Sequence, residues 1–163
     1  MATEPTAEES VQLTQLNSEY WHRVDHPGKE EVASLYAADG KMVFGEFRLN
    51  DRQAIQGFFQ ARNASVPART TRHISTNLRF HRIDSRTIQV RSIVSVYAAL
   101  GDLPLTAGAP TSVLDFEDLC IRSDDRWLYQ QRSGTAIFIG PGAAPFLTFQ
   151  LPPGHPLKTE RSP

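Results

Sequence analysis

Apolar residues near the start of the chain follow the period of a helix. Four of them recur at intervals of three and four positions between residues 7 and 25: Leu13, Leu16, Tyr20 and Val24. The proline and glycine at Pro27 and Gly28 end this first predicted helix. Asp25 therefore lies at the carboxyl end, where the helix dipole disfavours an acid, and we expect a bound partner to hold it there.

Two shorter helices are predicted before the chain turns to strands. The first covers residues 29–36, where apolar residues supply the inward positions. The second is predicted to begin at Asn50, with Gln53 completing a capping box, and to end before Pro67. Between these helices the sequence predicts a turn and two short strands, over residues 37–40, 42–44 and 46–49.

After residue 69 the pattern changes to the alternation that is typical of strands. Four strands are predicted, over residues 70–82, 87–99, 112–122 and 127–132. On the second of them Val90, Val94 and Val96 share a face, which we assign to the outer surface of the sheet. An apolar outer face of this kind predicts self-association through the sheet.

The strand over residues 70–82 has an unusual polar face. Strict alternation gives it four polar side chains on one face, His73, Ser75, Asn77 and Arg79, and four mainly apolar ones on the other, Ile74, Thr76, Leu78 and Phe80. A histidine, a hydroxyl and an amide are groups that line reactive pockets, and neither lysine nor glutamate interrupts them. We therefore predict that this face looks into a cavity with His73 at its chemical centre.

The order of the elements, helices first and then consecutive strands, predicts an α+β domain. We expect a cone-shaped, curved antiparallel sheet with three N-terminal helices packed on its concave face. The predicted boundaries are a disordered tail over residues 1–6, one domain over residues 7–138 and a proline-rich tail over residues 139–163. The prolines should keep that tail free of regular structure, while Phe146 and Phe149 should let it cover a cavity or brace a neighbouring subunit.

Composition narrows the functional classes. With a net charge of −1 and scattered arginines, the chain lacks the basic surface that binds nucleic acid or an anionic membrane, and no apolar run is long enough to span a bilayer. Cys120 is the only cysteine, which excludes an internal disulfide and fits the reducing cytoplasm, where we place the protein. His22 and His26 have the spacing of a metal pair, but Pro27 ends their helix and no third ligand is apparent, so we predict no metal site.

Five short motifs follow one another along the chain. They are Tyr20-Trp21-x-x-x-Asp25, Leu35-Tyr36-Ala37-Ala38-Asp39-Gly40, Asp51-Arg52-x-Ala54-Ile55-x-x-Phe58-Phe59, Arg72-His73-x-x-x-Asn77 and Arg126-Trp127. In this order and spacing the chain resembles the SnoaL-like branch of the nuclear-transport-factor-2-like superfamily, over about residues 7–138. The resemblance implies the cone-shaped fold. It does not fix the function, because that fold hosts dehydratases, isomerases, cyclases, hydrolases and non-catalytic subunits.

Within that superfamily the chain is most similar to enzymes of the scytalone dehydratase and bile-acid 7α-dehydratase type. These enzymes use a tyrosine and an aspartate five residues apart near the end of the first helix, and a histidine on the strand after the third helix. The matching positions here are Tyr20, Asp25 and His73. The resemblance also implies chemistry without a cofactor and a homo-oligomer built on the sheet, a dimer or, as in the dehydratases, a trimer.

These three residue types suit proton abstraction next to a carbonyl. A histidine supplies a base, a carboxylate on its other ring nitrogen fixes the tautomer, and a tyrosine hydroxyl donates to the developing enolate. We therefore predict a cofactor-free dehydratase or isomerase in which His73 is the base, Asp25 orients it and Tyr20 polarises the carbonyl. Four further residues are candidates for substrate contacts: Asn77, Tyr97, Trp21 and Phe59.

Three functions are open at this point. A lyase or isomerase would act on a small hydrophobic cyclic or polycyclic ketone or hydroxyketone. A polyketide cyclase would use the same groups for an intramolecular aldol closure. A non-catalytic ligand-binding or assembly subunit, resembling the small β subunit of ring-hydroxylating dioxygenases, would instead have a filled cone and a sheet that faces its partner.

Overall fold

A computed structural model of the chain describes residues 4–65 and 69–158. Its helices are α1 (Ala7–Asp25), a 3₁₀ helix (Val32–Leu35), α2 (Arg52–Asn63) and α3 (Pro145–Thr148). Its strands are β1 (Tyr36–Phe44), β2 (Phe47–Leu49), β3 (Arg69–Arg82), β4 (Thr87–Leu100), β5 (Ser112–Ser123) and β6 (Arg126–Ile139). Of the predicted N-terminal tail, residues 1–3 lie outside the described residues. Thr6 caps α1, and its hydroxyl accepts a hydrogen bond from the Glu9 amide at 3.2 Å.

The six strands form one curved sheet in the order β2–β1–β6–β5–β4–β3. Neighbouring strands are antiparallel except β1 and β6, which run parallel. α1 packs along β3 and α2 packs against β1, so the N-terminal helices cover the concave face. The second predicted helix, over residues 29–36, is observed as the shorter 3₁₀ helix Val32–Leu35. The predicted fold class, an α+β cone with its N-terminal helices on the concave side of the sheet, is confirmed.

Local predictions in the first half of the chain need correction. Asp51, and not Asn50, caps α2, because its carboxylate accepts a hydrogen bond at 2.7 Å from the backbone amide three residues on. Residues 37–40, predicted as a turn, belong to β1. The register of β1 with β6 shifts between Tyr36 and Lys41. The residues whose sequence predicts a turn therefore lie at an irregularity within the strand.

The valines of β4 lie in the core and not on the outer surface. Val90, Val94 and Val96 are at most 9% exposed and pack in the hydrophobic core with residues of the helices. Alternation identifies residues that share a face, but not which face the helices cover, and the assignment to the outer surface was wrong. The outer face of β4 and β5 instead carries Arg91, Ile93, Asp115 and Glu117. The argument from these valines therefore gives no support to self-association, which stays a prediction.

The polar face predicted for β3 is interrupted at Asn77. This residue adopts a left-handed backbone with a φ of 56°, and the register with β4 shifts at the same point. Asparagine tolerates this conformation because its side chain is short and polar. The irregularity reverses the alternation, so that His73 faces inward before it and Leu78 packs on the core after it. Ile74, on the predicted apolar face, is 51% exposed.

The proline-rich tail contains a helical turn that the prolines were expected to prevent. Pro145 occupies the first turn of α3, where a missing backbone N–H leaves no hydrogen bond unmade. Phe146 stacks on Phe47 with ring centroids 5.0 Å apart, and Leu147 is buried. This segment therefore packs on the domain and contributes to its core.

Candidate active site

Asp25 and His73 form a close hydrogen-bonded pair between α1 and β3. His73 Nδ1 lies 2.6 Å from Asp25 Oδ1, and the backbone amide of His73 donates to Asp25 Oδ2 at 2.8 Å. The hydroxyl of Thr71 donates to Asp25 Oδ1 at 2.8 Å. These donors satisfy the carboxylate, which explains how an acid is stabilised at the carboxyl end of α1.

Arg62 connects the three elements that surround this pair. From α2, its guanidinium donates to the Val24 carbonyl at the end of α1 and to the Thr71 hydroxyl on β3, both at 3.1 Å. The last carbonyls of a helix accept no hydrogen bond within the helix, and Arg62 supplies a donor to one of them. The relative position of Asp25 and His73 therefore depends on a residue of α2 that contacts neither side chain directly.

The surroundings keep His73 in the form that a base requires. Burial lowers the pKa of His73 below its ordinary value of 6.5, although Asp25 opposes the shift. Burial raises the pKa of Asp25, but the hydrogen bonds and charge of His73 outweigh this effect and hold that pKa below 3.8. At neutral pH the imidazole is neutral and the carboxylate is ionised. Because Nδ1–H donates to Asp25, the lone pair available to a substrate proton is on Nε2.

His73 lines a cavity from which Asp25 is set back. The cavity offers about 100 Å³ to the centre of a water-sized molecule, within about 660 Å³ of space free of protein atoms that includes open solvent. Its walls are largely apolar and include Phe44, Phe58, Phe116 and the α3 residues Phe146 and Leu147. The cationic side chains among the described lining residues are Arg62 and Arg69. His73 therefore lines a site suited to an apolar ligand, and it also borders a second, shallower depression together with Asp25.

Tyr20 lines the same cavity from α1. Its hydroxyl accepts a hydrogen bond from the Tyr36 hydroxyl at 3.3 Å and donates only to the Met42 sulfur, at 3.8 Å. A thioether is a weak acceptor, so a substrate carbonyl could replace it at little cost. Burial raises the pKa of Tyr20 above 10, which keeps the hydroxyl protonated as a donor at neutral pH.

Two of the four predicted substrate contacts line this cavity and two do not. Trp21 stacks on the His73 ring with centroids 4.3 Å apart and planes 13° apart, and Phe59 lines the cavity from α2. Asn77 is exposed at the irregularity of β3, in a groove on the outer face of the sheet. Tyr97 is 38% exposed and lies beside the loop that follows β4. Asn77 lies at the irregularity that reverses the alternation of β3, and Tyr97 lies on the exposed face of β4. The structure therefore does not bring either side chain to His73.

A second charged pair, which sequence reasoning missed, lies behind this site. Asp118 on β5 and Arg132 on β6 are fully buried, with Oδ1 to Nε at 3.1 Å and Oδ2 to a terminal guanidinium nitrogen at 3.0 Å. The guanidinium lies 3.9 Å from the ring centroid of Tyr20 and 4.8 Å from that of Trp21. The pair therefore supports two residues of the cavity wall without lining the cavity.

The sequence does carry a signal for Asp118. It alternates with Leu114, Phe116 and Cys120, which form the buried face of β5, so an acid occupies an apolar face. Arg132 is its direct partner in the β5–β6 register. An acid on a core face requires a cationic partner, and that requirement points to the facing strand.

The described residues hold no group of three histidine, cysteine, aspartate or glutamate side chains that could bind a metal ion. Within the same part of the chain, no helix is both long enough and apolar enough to cross a membrane.

Solved structures share the fold. A protein of unknown function with a cystatin-like fold from Nostoc punctiforme matches with a TM-score of 0.69 at 16% identity, over 85% of this chain and 98% of that one. A candidate scytalone dehydratase from Novosphingobium aromaticivorans matches with a TM-score of 0.67 at 18% identity, over 84% of this chain and 95% of that one. A protein from Catenulispora acidiphila in complex with S-DNPA matches with a TM-score of 0.66 at 22% identity, over 80% of this chain and 95% of that one. At these identities the likeness shows the fold alone. No curated protein matches the chain.

The sequence itself matches a known domain family. The match, to the SnoaL-like domain, covers residues 5–133 of the 163 in the chain. It spans α1, β3 and the Asp25–His73 pair, and it ends just beyond Arg132. The resemblance drawn from the short motifs is confirmed. The chain belongs to the family of SnoaL-like domains.

Proposed function

We propose that this protein is a cofactor-free lyase or isomerase that abstracts a proton next to a carbonyl of a small cyclic or polycyclic substrate. The observation that carries the proposal is the 2.6 Å hydrogen bond from His73 Nδ1 to Asp25, which leaves Nε2 as the basic atom beside an apolar cavity. A neutral imidazole with its tautomer fixed in this way is a suitable general base near neutral pH.

Each residue has a defined part in the proposed reaction. His73 Nε2 takes the proton from the carbon next to the carbonyl, and Asp25 stabilises the imidazolium that forms. Tyr20 donates to the oxygen of the enolate, directly or through a water molecule. In a dehydration the enolate re-forms the carbonyl, the bond from carbon to the leaving hydroxyl breaks, and that hydroxyl leaves as water with the proton from His73. In an isomerisation the same proton returns to a different carbon.

Family membership and shared fold support this reading. One protein with this fold is a candidate scytalone dehydratase, and another was solved with a bound small molecule, S-DNPA. The open cavity beside His73 favours a ligand-binding protein over the assembly subunit, for which a filled cone is expected. A polyketide cyclase would use the same three groups and would differ in its substrate.

The test is His73→Gln, assayed with a panel of cyclic hydroxyketones by product formation and by exchange of the α-proton in D₂O. Loss of a general base should lower kcat by about 10²–10⁴-fold. Exchange without elimination would indicate isomerase chemistry, and elimination would indicate a dehydratase.

His81→Gln is the matched control, because His81 is an exposed histidine on the same strand. It should retain the activity of the unaltered protein. Equal turnover by the His73 and His81 variants would remove His73 from the mechanism and leave a binding function.

A further inference from the structure

The charges that line the cavity are unbalanced. Arg62 and Arg69 are among its lining residues, and no aspartate or glutamate in the described part of the chain lines it. The nearest acid, Asp25, is set back from the cavity and already accepts hydrogen bonds from His73 and Thr71. Asp25 attracts Arg62 from outside the cavity, but among the described lining residues the two cations face no acid. Such an apolar cavity is suited to a ligand that brings its own negative charge.

The two arginines lie on the same side of the cavity as His73. Arg69, Thr71 and His73 occupy alternate positions of β3 ahead of the irregularity at Asn77, so they share its inward face. At a rise of about 3.3 Å per residue, Arg69 and His73 are separated by roughly 13 Å along the strand. Arg62 reaches this face from α2 through its hydrogen bond to Thr71.

Both guanidinium groups retain N–H donors that no acceptor among residues 4–65 and 69–158 takes up. Arg62 donates to two backbone or side-chain acceptors besides Thr71, the carbonyl of Val24 and the amide oxygen of Asn63. Arg69 donates to the carbonyl of Gly142 at 2.5 Å. A guanidinium has five N–H donors, so two remain on Arg62 and four on Arg69. Neither arginine forms an ion pair with a carboxylate of the described residues.

The electrostatics agree with this geometry. Burial lowers the pKa of Arg62 against the attraction of Asp25. Arg69 is an exposed residue at the start of β3, and partial desolvation together with the charge of Arg62 lowers its pKa. The charge of Arg62 therefore repels that of Arg69. A bound carboxylate between them would remove the repulsion and would form charge-assisted hydrogen bonds, which are about twice as strong as neutral ones.

We propose that Arg62 and Arg69 form a carboxylate subsite, so that the substrate is a cyclic or polycyclic compound with an acidic side chain. The acid binds at the arginine end of the inward face of β3, and the ring system extends over the apolar wall toward His73. This inference rests on the proposed function for the identity of the reacting end. It adds the class of substrate and the direction in which the substrate lies.

The experiment compares an acid with its neutral amide. Binding of 1-naphthylacetate and 1-naphthylacetamide, together with the corresponding benzene and anthracene pairs, is measured by calorimetry at low and high salt. We expect at least one acid to bind about ten- to a hundredfold more tightly than its amide, the ratio that one charge-assisted hydrogen bond provides. Arg69→Gln should abolish most of that preference and leave the affinity for the amide unchanged.

Two variants serve as checks. Arg126→Gln removes the same charge from an exposed site at the start of β6, and should keep the preference for the acid. Arg62→Gln should weaken acid binding as well, with its fold verified by thermal unfolding because it also supports Val24 and Thr71. The proposal is overturned if no acid in the series binds more tightly than its amide, or if the preference survives in both the Arg62 and Arg69 variants.

The outcome is separable from that of the catalytic proposal. His73→Gln should keep the preference for the acid over its amide, because the carboxylate subsite does not include the imidazole. Acid preference without turnover would retain the subsite and remove the catalytic role of His73. Turnover of neutral hydroxyketones without a preference for the acid would remove the carboxylate subsite and retain the catalytic role of His73.

Discussion

Two hydrogen-bonded pairs, Asp25–His73 and Asp118–Arg132, contact the same aromatic side chain. Trp21 stacks on the imidazole of the Asp25–His73 pair, and it also packs against the guanidinium of the Asp118–Arg132 pair. The first pair is partly accessible, with the His73 side chain 12% exposed, and lines or adjoins the cavity. The second pair is fully enclosed. Of the four residues, only His73 lines the cavity, so we assign chemistry to the first pair and architecture to the second.

The buried pair has an effect on the site because a cation over an aromatic face is attracted to it most strongly when both are desolvated. The Arg132 guanidinium lies 3.9 Å from the centroid of Tyr20 and 4.4 Å from that of Tyr129. Tyr20 lines the cavity with Trp21, whereas Tyr129 packs behind it against Tyr20. Arg132 therefore supports the cavity wall through these rings, and its charge also helps to lower the pKa of His73.

The largest expected effect comes from breaking the buried pair. Asp118→Asn leaves the Arg132 charge in the core without a counter-charge, which should lower the free energy of unfolding by about 3–5 kcal/mol. Urea denaturation followed by circular dichroism measures the change. Asp115→Asn is the matched control, because Asp115 is an exposed acid on the same strand, and it should change the stability by less than about 0.5 kcal/mol.

A double replacement separates charge from packing. Asp118→Leu combined with Arg132→Met removes both charges while keeping apolar volume, and should recover most of the stability that Asp118→Asn loses. If the double variant is as unstable as the single one, the contacts of the guanidinium with the rings contribute more than the ion pair.

The two pairs differ in how far the sequence predicts them. Tyr20 and Asp25 could be placed because a helix of clear period ends at a proline and glycine, and His73 because it lies on a polar strand face. Local patterns thus place each residue on its element, while the pairing of Asp25 with His73 and its chemistry are implied by the resemblance to the dehydratases. Arg132 could not be found from its own neighbourhood, because a lone arginine on a strand is usually solvated. Its burial follows from the pairing of β5 with β6.

The misassigned strand faces have the same cause. Alternation gives the relative orientation of neighbouring side chains, but the helices decide which face of β4 is buried. One left-handed residue, Asn77, is enough to reverse the orientation for the remainder of β3. Periodicity thus predicted the elements and the fold. Which residues line the cavity depends instead on tertiary contacts, which no local pattern contains.

A smaller effect on stability, with a larger one on activity, is expected at the accessible pair. Asp25→Asn should lower the free energy of unfolding by only about 1–3 kcal/mol, since the amide oxygen still accepts one hydrogen bond. Its NH₂ group, however, would donate to His73 Nδ1 and would move the ring proton to Nε2. We expect kcat to fall about 10²-fold or more while KM stays constant, because Asp25 does not line the cavity.

Nuclear magnetic resonance of ¹⁵N-labelled histidine checks the reason for that loss. The His73 signals should change from the Nδ1–H to the Nε2–H tautomer in the Asp25 variant, which a general loss of structure would not produce. Asp125→Asn, an exposed acid in the turn between β5 and β6, should change neither the tautomer nor the rate. An unchanged tautomer together with a full loss of activity would give Asp25 a role other than orienting His73.

The smallest effect, the pH dependence of stability, distinguishes the two pairs by sign. The pKa of His73 is lowered in the folded protein, so its contribution to stability is full above pH 6.5 and is lost as the pH falls through its folded pKa. Burial raises the pKa of Asp118 to about 6, against the attraction of Arg132, so its contribution is full below pH 3.8 and is lost as the pH rises through about 6.

Subtracting the stability curve of His73→Gln from that of the unaltered protein cancels the Asp118 contribution, which both proteins share. The difference should fall with decreasing pH below 6.5, with a slope of at most about 1.4 kcal/mol per pH unit, the value for one proton. The logarithm of kcat/KM should fall over the same range, because only the neutral imidazole can accept the substrate proton. A kcat/KM that already falls above pH 6.5 would mean that the attraction of Asp25 for the imidazolium exceeds the effect of burial. In that case His73 would be protonated at neutral pH and would serve as the acid that releases the leaving group.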